Sequence, residues 1–148
     1  MLRINIICIG KIKEKYFTDA IAEYAKRLTA FCKFNVVELP EEKIKSNTPN
    51  DSQIDEVIES EGKKIMQKIG NSDYVIAMCI EEKMLSSEEL SKTLDSLCVI
   101  GKSTIDFIIG GSYGLCNSVK NRADLKMLGF LKIFPFVFVC CFEFLKIT

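Results

Sequence analysis

The residues best placed to do chemistry lie in Asp106-Phe107-Ile108-Ile109-Gly110-Gly111-Ser112-Tyr113-Gly114-Leu115, where an apolar run ends in three glycines within five residues. Glycine lets the backbone turn at positive φ and lets a ligand approach the main chain closely. In open α/β sheets, ligands sit beyond the carboxyl ends of the strands. The segment therefore predicts a small-molecule site at the end of a strand. It is neither a Walker loop, since no Gly-Lys-Ser/Thr follows, nor a GxGxxG fingerprint. The chain contains no histidine, so the commonest general base near neutral pH is missing. Any acid–base step must use a carboxylate, a tyrosine, a lysine or the substrate itself. Asp106 is a candidate, its plainer reading being a solvent-facing or capping carboxylate. Arg3 and the lysines of Lys11-Ile12-Lys13-Glu14-Lys15 could meet phosphate, although a solvated lysine-rich turn also describes them. Seven cysteines are present, at spacings that match no zinc pattern. An odd number of thiols, mostly in apolar segments, points to buried cysteine in a reducing, cytoplasmic setting.

The elements that must position these groups alternate in period. Arg3–Ile9 is rich in β-branched residues and stops at Gly10. Phe17, Ile21, Tyr24, Leu28 and Phe31 recur at helical spacing. Phe34–Leu39 reads as a second strand closed by Pro40, and the polar stretch Glu41–Asp51 as a loop able to serve as a contact surface. Ile54, Val57, Ile58, Ile65 and Ile69 mark a second helix. Tyr74–Ile80 is a continuous apolar run, as in a parallel strand buried on both faces. Ser86 and Glu89 form a capping-box pattern ahead of Leu90, Leu94 and Leu97, and Thr104–Ile109 is the fourth strand. Strands separated by helices imply βαβ units and a mostly parallel α/β sheet, in one domain spanning 1–148.

Composition excludes some partners. Twenty basic residues balance twenty acidic ones, so no global positive field holds nucleic acid non-specifically. The uncharged run Ile133–Phe142 covers ten residues, well short of the roughly 20 needed to span a membrane as a helix. It reads as a buried or interface segment of strand propensity, and a contiguous apolar stretch of this kind predicts a homodimer.

Several segments in the same order resemble the RlmH family of SPOUT-class methyltransferases, which act on large-subunit ribosomal RNA. They are INIICIGKIKEKYFTDAIAEYAKRL, VVELPEEK, EGKKI, VIAMCIEEKMLSSEEL and FIIGGSYGL, in register from about Leu2 to Asp124, about five-sixths of the chain. The resemblance implies a SPOUT-type α/β fold with a trefoil knot, a homodimer, and S-adenosyl-L-methionine as cosubstrate with no metal. It implies methylation of N3 of a pseudouridine in the assembled ribosome. The cofactor contacts it implies are Met78, where the family usually has leucine, Gly110 in the loop, and the segment Gly129, Phe130, Leu131, Lys132, Ile133 and Phe134. In that segment the length is kept but not the family's serine, methionine and threonine. After about Asp124 the C-terminus diverges, as a shift of reading frame near Leu125 would produce. The family follows its Phe-Pro with histidine, arginine and a Glu-Gln-x-Tyr-Arg helix. This chain has no arginine after Arg122 and no tyrosine after Tyr113. The alternative is therefore a non-catalytic family member that keeps cofactor or RNA binding without turnover.

Overall fold

A computed structural model describes residues 2–10, 15–30, 32–79, 81–82 and 87–127. The elements follow in the order β1 (Leu2–Ile9), α1 (Lys15–Leu28), β2 (Cys32–Leu39), α2 (Asp51–Lys68), β3 (Tyr74–Met78), α3 (Ser87–Val99), β4 (Thr104–Ile109), α4 (Asn117–Arg122) and β5 (Leu125–Met127). The strands form one sheet in the order β2-β1-β4-β3-β5, and every pairing is parallel. The α/β reading holds.

Two apolar layers sandwich the sheet. Ile4, Ile6, Ile76, Ile105 and Phe107 face Leu28 of α1 and Leu90, Leu94 and Leu97 of α3. On the other face, Ile7, Val75, Ala77 and Ile108 meet Ile65 of α2 and Val119 of α4. Both faces of β1, β3 and β4 are thus covered, which is why β3 reads as a continuous apolar run and not as alternation. Burying each large side chain in these layers contributes about 1.5–3 kcal/mol. Asn50 caps α2 with a reciprocal box: its side chain accepts from Gln53 N–H while the Gln53 side chain accepts from Asn50 N–H, at 2.8 and 3.0 Å.

Several boundaries differ from expectation. β2 begins at Cys32, two residues before Phe34, because its pairing with β1 runs from Leu2↔Cys32 onward. β3 stops at Met78, where the neighbouring strand is running out, its pairing with β4 ending at Ala77↔Ile108. Phe31, Ser86 and the Ile133–Phe142 run lie outside the described residues. α4 and β5 carry no periodic signal, being six and three residues long. Among the described residues, no helix is long and apolar enough to cross a membrane.

Strand order points to a candidate site. β4 lies between β1 and β3. The helix after β3 packs on one face and the helix after β4 on the other. Chains that leave neighbouring strands toward opposite faces open a crevice at the carboxyl edge, where α/β proteins bind ligands.

Candidate functional site

A cleft of about 100 Å³ lies at that edge, lined by Met78, Cys79, Glu81, Tyr113, Gly114, Leu115 and Lys120. Met78 ends β3 and is 8 % exposed, so it belongs both to the core and to the cleft wall. Opposite it stands the glycine loop. Gly111 and Gly114 close a tight turn, with Gly114 N–H donating to the Gly111 carbonyl at 3.2 Å. Gly114 sits at φ +87°, a conformation that costs other residues about 1 kcal/mol or more. A Cβ there would meet nothing within 4 Å, so the main chain presents an open, side-chain-free surface to the cleft.

Gly110 has a different reason to be glycine from the close ligand approach expected of it. A Cβ at Gly110 would come within 2.9 Å of the Gly114 backbone and 3.0 Å of Leu115 Cδ2. The loop folds back on itself there, and a side chain would prise it open. Gly111 is confined as well, since a Cβ would approach Glu61 Oε1 at 3.0 Å and Ile9 Cγ2 at 3.1 Å.

The cleft carries its own charges. Lys120 Nζ lies 2.6 Å from Glu81 Oε1, so the helix after the glycine loop is tied to the chain leaving β3. That bond holds the Glu81 carboxyl below its ordinary range and the Lys120 ammonium above its own. Burial pushes the Cys79 thiol up, helped by Glu81. Both lips are therefore charged and the thiol between them is neutral at physiological pH.

Of the residues singled out from sequence, Met78 lines this cleft and Gly110 shapes the loop that forms its far wall. Gly129 to Phe134, and Lys11 to Glu14, lie outside the described residues. Asp106 is neither a surface nor a capping carboxylate. It is fully buried in the interior of β4, accepting from Asn5 Nδ2 at 2.8 Å, and it takes no part in the cleft lining. Arg3 stands at the amino-terminal edge, where its N–H meets the Ser103 carbonyl, away from the cleft. Cys8, Cys32, Cys79 and Cys116 are buried as expected, whereas Cys98 is exposed. Sequence reasoning gave Glu81, Tyr113 and Lys120 no role. Glu81 and Lys120 are 39 residues apart, and only the crossing of two connections brings them together.

The model of a family described as "Predicted SPOUT methyltransferase" matches residues 2–138. The chain belongs to the SPOUT methyltransferase family. Among similar curated proteins is the "Ribosomal RNA large subunit methyltransferase H" of Leuconostoc mesenteroides, 50% identical over 126 residues, which cover 85% of this chain and 79% of that protein. Proteins of the same name from Streptococcus pneumoniae strains are 46% identical over the same coverage.

Proposed function

We propose that this chain transfers a methyl group from S-adenosylmethionine to N3 of a pseudouridine in large-subunit ribosomal RNA of the assembled ribosome. The observation that carries the proposal is the cleft between Met78 and the glycine loop, in a chain of a methyltransferase family whose similar members are named for that RNA. Its residues suit the cofactor. Met78 offers a polarisable thioether to an aromatic ring, and Gly114 leaves open the volume a Cβ would fill. A ligand of nucleoside size takes a pocket of about 300 Å³ or more, so the described walls supply part of the site, and we assign the remainder to Gly129–Phe134.

The bound sulfonium would supply an electrophilic methyl group. The protein's part is to hold, orient and exclude. In-line placement of a nucleophile can lower a barrier by roughly 7–11 kcal/mol. Burial keeps Cys79 protonated, so it does not compete as a thiolate for the methyl group. The Lys120–Glu81 pair closes one side of the cleft. Asp106 is set aside as base, since it does not reach the cleft. A homodimer through the C-terminal apolar run, and a cytoplasmic location with the ribosome, belong to the same proposal.

The test is transfer of a labelled methyl group to ribosomes from a strain lacking the modification. Label should appear at N3 of one pseudouridine, with free RNA a poorer substrate because a net charge of zero gives little hold on phosphate alone. Tight cofactor binding with no transfer to any ribosomal particle would favour the non-catalytic alternative.

A further inference from the structure

The chain leaving β2 is built as a strap. Pro40 to Lys45 has no regular secondary structure, yet it is fastened along its inner side. Glu42 N–H donates to Glu61 Oε2 at 3.2 Å. The Glu42 carboxylate accepts from Ser60 Oγ at 3.1 Å and from Lys64 Nζ at 2.5 Å, and Lys64 also reaches the Pro40 carbonyl at 3.3 Å. Glu41 Oε1 accepts from Ser112 Oγ at 2.9 Å, which ties the strap to the glycine loop itself. Burial alternates along it: Glu42 and Ile44 are half-buried, while Lys43 and Lys45 are exposed.

This arrangement sorts charge. The Glu42 charge is neutralised by Lys64, whereas Glu41, exposed like Lys43 and Lys45, keeps its charge and is held in place by the Ser112 hydroxyl. Lys43 and Lys45 form no ion pair among the described residues and project from the carboxyl edge of the sheet, the edge that carries the cleft. A surface lysine is ordinary. The backbone is pinned at Pro40, Glu41 and Glu42, so Lys43 follows directly on the last anchor and Lys45 stands beyond half-buried Ile44; a fixed root of this kind reduces the ordering cost of binding. The anion that repeats at short spacing on the proposed substrate is RNA phosphate.

We propose that the strap Pro40–Lys45 is a phosphate-contacting arm, with Lys43 and Lys45 gripping the ribosomal RNA backbone beside the cleft. The inference rests on the proposed RNA methyltransferase reading and names the surface that reading needs. Lysine on phosphate positions without reading sequence, so the arm sets affinity and register, and the cleft performs the chemistry.

The experiment measures binding of the purified protein to large ribosomal subunits at several salt concentrations, beside calorimetry with S-adenosylmethionine. The double variant Lys43→Gln/Lys45→Gln should bind subunits about tenfold more weakly, with the slope of log affinity on log salt reduced by about 1 to 2. Its cofactor affinity should not change. A control variant of equal charge at the opposite edge, Lys33→Gln/Lys68→Gln, should bind as the wild type does. A photocrosslinking amino acid at position 43 should capture ribosomal RNA. An unchanged affinity and slope, an equal loss in the control, or a crosslink to a ribosomal protein would each overturn the arm. If the wild-type protein itself binds no subunits, the functional reading fails first, and that failure is visible before any variant is made.

Discussion

Two carboxyl groups are buried on the same face of this sheet, and they do different work. Asp106 is fully buried and Glu61 is 2 % exposed; each has one oxygen without a hydrogen-bond partner among the described residues. Asp106 ends a row that crosses three strands: Asn35 Nδ2 donates to Asn5 Oδ1 at 3.2 Å, and Asn5 Nδ2 to Asp106 Oδ1 at 2.8 Å. These residues face one another in register. A slip of one position would turn the row to the opposite face and leave its polar groups unpaired, so the row selects a single alignment. Glu61 instead lies where α2 passes beneath the glycine loop, against Gly111, and accepts from the strap through Glu42 N–H. One acid fixes how strands align and the other fixes where a loop rests. Burial alone does not mark a functional carboxyl; its neighbours do.

The largest effect is expected where the loop depends on glycine. Gly110→Val forces a branched side chain against the Gly114 backbone, and overpacking of this kind costs about 1–3 kcal/mol. Calorimetry should show no cofactor binding, and melting should show a lower midpoint. Binding at wild-type affinity would mean that the loop does not form the wall described.

Titration separates the two acids next. Burial, followed by the Asp73 carboxyl beside it, raises the Asp106 pKa from 3.8 to about 7, against the opposing pull of Asn5 and Arg122. The folded state therefore holds a proton that the unfolded chain releases. This contribution to stability is full below about pH 3.8 and is lost as pH rises through about 7, with a slope of at most about 1.4 kcal/mol per pH unit. Asp106→Asn keeps the shape and should flatten that part of the stability profile while leaving cofactor affinity unchanged. A profile that keeps its slope in the variant would remove Asp106 as its source. Burial raises Glu61 as well, with Glu42 N–H opposing. Glu61→Ala removes the acceptor for Glu42 N–H and the contact under Gly111, and a lost hydrogen bond is worth about 1 kcal/mol. Cofactor affinity should fall about fivefold on that figure, and Glu61→Gln should recover most of it. If the two acids exchanged these signatures, the division between them would be wrong.

The smallest effect is expected at Met78. Met78→Leu nearly conserves volume, a change that costs less than about 1.5 kcal/mol in a core. Affinity should stay within about twofold by the same calorimetry, and a large loss would mean that the thioether itself is needed.

Much of the frame was legible because covered parallel strands leave apolar, β-branched runs and amphipathic helices write their period into the chain. The four longer strands and the end of β4 at Ile109, ahead of the glycine loop, followed from that. α4 and β5 did not, since they are too short to show a period and are held by tertiary contacts, such as Cys79 N–H to the Met127 carbonyl at 2.7 Å. Asp106 was misplaced because a carboxylate in a strand reads as exposed unless its partner is known, and Asn5 lies 101 residues away. Glu61 gave no sign among the charged residues of α2. The glycine loop was located correctly, but the reason for Gly110 was visible only once Gly114 was seen folded against it.

The central claim, that cofactor binds where β3 and β4 end, is tested most directly by amide hydrogen exchange with and without saturating S-adenosylmethionine. Protection should rise at Met78–Cys79 and at Gly110–Leu115, and stay unchanged at Arg3–Ile4 and Ser103–Thr104 on the opposite edge. Protection confined to that opposite edge, or none at the glycine loop under saturation, would contradict the account.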